Sequence, residues 1–487
     1  MANETKNLEP LGIKNLGVYG CIRPAEVDDV LQPAEGVTDV MNFHFDRKGA
    51  CTVRPGLTGL GATVLANTPC IGLHNAQQGT ALAVFSNGST SAIYSYNGTS
   101  WGVSLDGGTA SVRIRFVDFS SYTIALNFIQ NTYSSMRFWN AGSSRHWHYT
   151  GNPINPQNMW GYNAITGEVY KSRVYVLLEN SSTLMYSSVI SSAGNITWSP
   201  VNDYVQINPG DGENGTALKR YGLELVVFKP NYIYRFTTSS IDPDPLIKVG
   251  TRSQESVVEG KRGLYFHHDT GFYRYSGTYP TEISRPISDI VEAIPFGQFD
   301  DIVGWNDSDH IYWSIGNLTV DEVHDSTIYK NAVLRYTESS DIWTIYSLAF
   351  DVRRAITYIR GTSLTRIAGL DNGSVATINS GNTDLGEPIE FLLRTKWQYW
   401  GTSALRKVID EITTLCEKAQ TMTLMYQIDE ERKWHTIGQL KKMVQVFRNQ
   451  SMRFHRIRFK VVGVCKFEAP VFLGLDIVKG INEGIIE

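Results

Sequence analysis

Cysteine is scarce in this chain, charge is modest, and long apolar runs are missing. The five cysteines, Cys21, Cys51, Cys70, Cys416 and Cys465, are an odd number among 487 residues. Their spacing excludes a zinc-knuckle reading and favours a reducing compartment during folding. No run of 18 apolar residues occurs, so nothing is expected to span a membrane. The opening Met1-Ala2-Asn3-Glu4-Thr5-Lys6 has no apolar signal core. Charged residues make up 19% of the chain and the net charge is −4, which excludes a wholly basic nucleic-acid binder. The sequence has no Gly-x-Ser-x-Gly elbow, no phosphate-binding P-loop and no His-Glu-x-x-His. Those familiar routes to hydrolysis and nucleotide chemistry are therefore unsupported.

Aromatic residues and glycine are plentiful: 25 Tyr, 20 Phe, 11 Trp and 43 Gly. Aromatic side chains fit a pleated, half-buried surface, so the composition points to an all-β fold. The charge is unevenly spread. From Pro388 onward roughly 16 Lys and Arg face roughly 11 Asp and Glu, whereas the preceding body is acidic.

Leu264 to His268 and Gly271 to Tyr275, around Asp269-Thr270, read as a β-hairpin. Six further places repeat the phrase: Ala81–Phe85 with Ala92–Tyr96, Thr123–Leu126 with Met136–Trp139, Val174–Leu178 with Leu184–Tyr186, Leu225–Phe228 with Tyr232–Phe236, His310–Trp313 with Ala332–Tyr336, and Leu364–Ile367 with Ser374–Ile378. Their starts fall roughly 40 to 55 residues apart, the period of a propeller blade. Trp101, Trp147, Trp198 and Trp343 often follow as the start of another strand. A lone four-stranded sheet cannot bury both faces, but a closed ring of them can. The expected fold is a β-propeller of six or seven blades over 60–387. An N-terminal arm and leading strand (1–59) precede it, and a C-terminal β-sandwich platform (388–487) follows. The alternative is an irregular run of hairpins in stacked sandwiches.

One short helix is signalled between repeats. Ile287, Ile290, Val291 and Ile294 share one face, Pro286 opens the turn and Pro295 stops it. In the tail, Val408 to Cys416 fits a helical stripe, but Thr413, Thr414 and the β-rich setting favour a strand. Thr421–Ile428 and Trp434–Ile437 pair around an acidic turn. Phe454–Val461 reads as a single strand, with Ile457, Phe459 and Val461 on one side and Arg456, Arg458 and Lys460 on the other.

Three stretches carry a family resemblance: Glu35 to Asn42 followed by Arg54-Pro55-Gly56-Leu57, the helix after Ser284-Arg285-Pro286, and the Arg-rich late strand followed by Val471–Val478. In this order they resemble the packaged-DNA stabilisation, or tail hub (nozzle), proteins of short-tailed bacteriophages. The resemblance implies a non-enzymatic virion protein made in the host cytoplasm and located in the tail. It would form a homo-oligomeric ring, a hexamer in that family, below the portal and adaptor. The ring would line the DNA channel, pass duplex DNA without sequence specificity and help retain the genome. It would also carry fibres or spikes and a plug or needle. No cofactor, metal or catalytic residue is implied. The rival reading is a glycan-binding or glycan-degrading propeller, sialidase-like or a depolymerase, with an acidic and Arg-lined pocket at the ring's centre. A second rival is a fibre-anchoring protein at the tail periphery.

Weighed singly, the polar clusters favour structure over chemistry. Adjacent His267 and His268 point to opposite faces of a strand and cannot easily share a metal. His146 and His148 share a face but lack a signalled third ligand. Asp242-Pro243-Asp244-Pro245 reads as an exposed rigid loop. Asp300-Asp301 offers paired carboxylates, which glycoside hydrolysis would need across a cleft. Ser191 to Trp198 resembles a degenerate Asp-box turn, with Ala193 and Asn195 replacing its Asp and Gly. The best candidate site is the basic face of Arg453, Arg456, Arg458 and Lys460, supported by Arg448. It is expected to meet an acidic neighbouring subunit, because a channel that passes DNA should not grip phosphates.

Overall fold

The computed structural model describes residues 10–14, 37–45 and 51–481, apart from 110–112, 130–135, 141–146, 149–153, 155, 160, 193, 237–240, 244–247, 322–325, 400–405, 418–421, 430 and 468. The protein is a β-propeller. Among the described residues seven antiparallel units of four strands follow one another: 70–109, 115–148, 164–206, 217–243, 258–282, 303–347, and 352–378 completed from elsewhere. In each, the predicted hairpin supplies the two middle strands. Leu264–His268 pairs with Gly271–Tyr275 across the expected two-residue turn, from Leu264 opposite Tyr275 to His268 opposite Gly271. Arg252 fixes the turn, donating from Nε and Nη2 to the Asp269 carboxylate at 2.8 and 2.8 Å.

The middle strands form because both their faces are covered. Leu225, Val226, Val227 and Phe228 are all buried. Leu225 and Val227 pack toward the third blade, with Leu177 and Leu184. Val226 and Phe228 pack toward the fifth, with Leu264 and Phe266. Between blades five and six, Phe272, Trp313, Trp343 and Tyr336 form an aromatic stack with centroids 4.6 to 5.8 Å apart. Both buried indoles donate to carbonyls, Trp313 to Ser256 and Trp343 to Ile283, each at 3.0 Å, as buried Trp requires. The predicted helix lies between the same blades as a 3-10 turn, Arg285–Ile287, running into Ser288–Glu292. All four of its stripe residues are buried in that core.

The ring is closed by a distant strand. Blade seven takes its outermost strand from Leu57–Gly59, paired antiparallel to Val375–Ile378. A side chain at Gly56, just before it, would place its Cβ 2.0 Å from the Thr383 carbonyl oxygen. Glycine is therefore required there by close backbone approach.

The tail strands build two further sheets. One contains Lys407–Glu417 between Val444–Phe454 and Val471–Ile481, extended by Phe43–Phe45 and Cys51–Val53. The other runs from Glu387–Thr395 through Ile457–Cys465 and Met422–Ile428 to His435–Leu440. Residues of both share one apolar cluster that includes Ile409, Ile412 and Phe454 with Phe391, Leu424 and Phe459. Val37–Met41 joins the second sheet to blade six, pairing with Glu387–Thr395 and bridging Met41 to Ile345.

The alternation over Phe454–Val461 is not one strand. Val444–Phe454 ends at Phe454 and Ile457–Cys465 begins in the other sheet. The crossing is held by Asp429, whose Oδ1 accepts the N–H of His455 at 2.7 Å and of Arg456 at 3.0 Å.

The Arg54-Pro55-Gly56-Leu57 phrase is the junction of these parts. Arg54 is buried and each of its donor nitrogens is used. Nε donates to Asn42 Oδ1 (2.8 Å), and Nη1 to Pro55 O (3.0 Å) and Asp384 Oδ1 (2.9 Å). Nη2 donates to Ser347 O (3.0 Å) and Asp384 Oδ2 (2.6 Å). Asn42 ties the same point together, its amide donating to Ser347 O and Glu390 O. Nearby, Asp39 receives Arg394 Nη2 at 2.6 Å, Thr327 Oγ1 at 2.9 Å and the Tyr329 hydroxyl.

Candidate functional site at the propeller axis

The first strand of each blade, or the turn before it, faces the axis. These segments carry charge: Arg115 in Arg115–Phe119, Glu168 in Ala164–Tyr170, Lys219 in Ala217–Tyr221, and Arg354 in Val352–Arg360. Together with Gln254-Glu255 they enclose an axial cavity of about 260 Å³ that all seven blades line. It has room for a small molecule and none for a duplex.

Glu255 is the hub of this cavity. Arg115 donates to it from Nε at 2.7 Å and Nη2 at 2.8 Å. Arg113 and Arg354 stand 3.9 Å away on either side. Burial pushes the Glu255 carboxyl up, but Arg115, Arg354 and Arg113 outweigh it and hold it far below the ordinary carboxylate range. Burial conversely depresses Arg354; Glu255 opposes that, while Arg113 and Arg115 add to it. One carboxylate thus serves three guanidiniums. Beside it, Gln254 Oε1 accepts Thr166 Oγ1 and the Leu218 N–H. His74 and Asp118 pair at 3.0 Å.

A second cavity, about 470 Å³, adjoins the first, and Arg354 lines both. Arg113, Arg353 and Asp301 line it together with Asn67, Thr68 and Asn87 of the blade-one side. Asp301 bridges two of the cations. It accepts a hydrogen bond from Arg113 Nη2 and lies 3.8 Å from Arg353 Nη1. Arg353 Nε lies 3.3 Å from Asp351.

Of the pairs singled out in the sequence, Asp300-Asp301 reaches this axis, Asp300 through its carbonyl, which accepts Arg113 Nη1 at 2.5 Å. His267 and His268 do not. His267 packs edge-on against Phe272 and Phe299, and burial pushes its pKa down to about 3. His268 Nδ1 bonds the Thr270 hydroxyl at 2.9 Å, and burial lowers its pKa as well. Among the described residues no cluster of His, Cys, Asp and Glu could hold a metal. His146, Ala193, Asp244 and Pro245 lie outside the described residues. Cys51, Cys70, Cys416 and Cys465 are buried, and burial pushes the Cys70 thiol up to about 11.

The basic face is divided by the crossing at His455-Arg456. Arg453 is exposed in one sheet, while Arg458 and Lys460 belong to the other. Arg456, Arg458 and Lys460 form a ladder with two indoles. Arg456 and Arg458 lie 4.5 and 4.7 Å from the Trp397 centroid, and Arg458 and Lys460 lie 5.2 and 5.1 Å from Trp434. Arg458 is buried and donates from Nε to Gln427 Oε1 at 2.7 Å. Arg448 is exposed and pairs with Glu411 at 3.1 Å.

The axial residues form no motif in the sequence. Arg113, Arg115, Glu255, Arg353 and Arg354 come from three remote segments. The only local signals are the Arg-x-Arg and Arg-Arg doublets, each at or just before the first strand of a repeat.

No family model matches the chain, and no curated protein does. It is similar to several solved structures. Virginiamycin B lyase from Staphylococcus aureus aligns with a TM-score of 0.42 and 13% identity, over 66% of this chain and 98% of that one. Sqt1 of Saccharomyces cerevisiae aligns at 0.42 and 8%, over 67% and 100%. YCF48 from Cyanidioschyzon merolae aligns at 0.42 and 8%, over 66% and 98%.

Proposed function

We propose that the protein is a structural subunit of a tail hub, or nozzle, of a short-tailed bacteriophage. It works as a homo-oligomeric ring between the portal-adaptor and the tail appendages. The observation that supports this most is the N-terminal segment. It pairs with the tail sheets at Val37–Met41 and at Cys51–Val53, which Phe43–Phe45 extends, then closes the propeller at Leu57–Gly59. Propeller and tail sheets are thereby locked into one stiff block, as a wall under internal pressure requires. The axial cavity of a single propeller is far too small for duplex DNA. In this reading DNA passes between subunits, and the propeller is a rigid body beside the channel.

Light scattering and negative-stain imaging of the purified chain, alone and with the adaptor of its virion, test this. A closed ring with a central hole, alone or on the adaptor, is expected. A monomer that ignores the adaptor would overturn it. The exposed Arg453 is the candidate subunit contact with the least internal role, so Arg453→Glu is expected to weaken ring assembly while leaving the fold intact. The alternative, a glycan-binding or glycan-degrading propeller, is favoured by the Arg-lined axial mouth with its Asp301. Turnover of a glycan by a chain that forms no ring would select it.

A further inference from the structure

We propose that the axial mouth lined by Arg113, Arg353 and Arg354 binds a small oxyanion, a phosphate or a carboxylate, in the position that Asp301 bridges when no ligand is bound. The inference stands whether or not the chain forms a ring.

The first argument is charge. Arg113, Arg115, Arg353 and Arg354 converge on the axis, and the carboxylates that face them are Glu255, Asp301 and Asp351. Cations outnumber acids, and the best-placed acid, Glu255, is already engaged by Arg115 on both oxygens. A buried cation without an equal partner is costly, so the site gains from any anion that completes it. The second argument is unspent hydrogen bonding. Arg354 is nine-tenths buried, yet its Nε has no acceptor. Its Nη1 and Nη2 donate only to the carbonyls of Arg353 and Ile71, at 2.5 and 3.3 Å. Buried donors are nearly always satisfied, and an orphan at a cavity wall marks where an acceptor belongs.

The third argument is shape. The mouth offers about 470 Å³, within the range of small-molecule sites. It is lined by guanidiniums, whose planar forks match the paired oxygens of phosphate and carboxylate. Asn67, Thr68, Ser86 and Asn87 give the opposite wall polar groups for the rest of such a ligand. Asp301 itself is 51% exposed, so it can swing into water at little desolvation cost. It acts as an internal stand-in for the ligand, and once displaced to the rim it leaves its place on Arg113 and Arg353 to an added negative charge.

The test is calorimetric titration of the full chain at low ionic strength with sodium phosphate and, separately, with glucuronate, using glucose and sodium chloride as controls. Saturable binding of one or both anions is expected. Arg353→Gln should weaken it about tenfold or more, the worth of one charge-assisted hydrogen bond. Asp301→Asn should tighten it several-fold by removing the competing carboxylate. Arg448→Gln, on the tail sheets, should change nothing. Binding of phosphate alone identifies a phosphate-bearing ligand, and binding of glucuronate alone a sugar acid. Chloride reproducing the effect, or Arg353→Gln binding like wild type, would overturn the proposal. So would absence of binding in both wild type and Asp301→Asn. If Arg353→Gln does not fold, Asp301→Asn decides, because its half-exposed side chain is dispensable for folding and the expected change is a gain.

Discussion

Arg54 and Arg354 are both buried guanidiniums at places where distant segments meet, yet they are held in opposite ways. Arg54 has a carboxylate of its own, three further acceptors and no unused donor nitrogen. Arg354 shares Glu255 with two other arginines and leaves Nε unmatched beside a cavity. A completed set of bonds fixes one geometry and has nothing left to offer a ligand. An incomplete set retains binding capacity and a penalty that a ligand can relieve. The first arrangement is architecture and the second is a site.

Breaking the completed set should have the largest effect. Arg54→Met leaves the Asp384 charge buried without its partner, which is expected to cost about 3–5 kcal/mol. Urea unfolding of the variant measures this, and added phosphate should not restore it. If Arg54→Met unfolded like wild type, the junction would not be the lock described above. Gly56→Ala acts on the same junction through sterics. The obstacle to the new methyl is a backbone carbonyl 2.0 Å away, so a loss of about 3 kcal/mol is expected, the upper end for overpacking. Both variants should lower the unfolding midpoint of the propeller and tail sheets together, since the closing strand serves both.

The incomplete set should respond differently. Glu255→Gln removes the carboxylate that three guanidiniums share. Arg113 and Arg115 keep 28% and 17% of their side-chain surface exposed, so the loss should be nearer about 1–3 kcal/mol. It should also shrink as phosphate is added, because an external anion replaces part of the missing charge. Equal phosphate dependence in Arg54→Met and Glu255→Gln would erase the distinction between the two arginines.

The same contrast explains what the sequence reveals. The middle strands of the blades are covered on both faces, so apolar runs such as Leu225–Phe228 stand out and their recurrence marks the ring. The inner strands line a charged axis. Ala217-Leu218-Lys219-Arg220-Tyr221 is a strand in the fold but has no apolar run to show it. Leu57–Gly59 is invisible for another reason: its partners lie more than three hundred residues away. The break at His455-Arg456 is likewise imposed from outside, by Asp429. The axial site is legible only once the ring is closed, because no spacing along the chain connects Arg113, Glu255 and Arg354. The Arg-Pro-Gly-Leu phrase was legible as a turn, but nothing local shows that its arginine is buried.

Acidification probes a buried group that neither cluster uses. His267 is neutral in the folded protein, with its pKa near 3 against 6.5 for the free side chain. The unfolded chain therefore binds more protons between these values, and stability present above pH 6.5 is lost as pH falls toward 3. The slope should approach about 1.4 kcal/mol per pH unit for one such group. His267→Phe keeps the ring between Phe272 and Phe299 and should flatten the profile between pH 6.5 and 5. Part of the slope should persist, because His268 and His310 are also depressed by burial. An unchanged profile would mean that His267 is hydrated.

The smallest effect on stability is expected in the cation and indole ladder, and it separates covering from contact. Trp434 touches Arg458 and Lys460, but Arg458 keeps Trp397 and Gln427 when Trp434 is removed. Trp434→Ala should therefore cost only about 0.5–1 kcal/mol, the range of an accessible cation–π pair. If the ladder is part of a subunit contact, the same variant should weaken ring assembly several-fold, because aromatic and arginine anchors dominate interfaces. A small loss of stability with assembly unchanged would make the ladder a cover for its own sheet. The partner contact would then fall to the exposed Arg453 and Arg448 on the other sheet. Sedimentation of Trp434→Ala beside Arg453→Glu separates these outcomes, because the two side chains belong to opposite sides of the crossing.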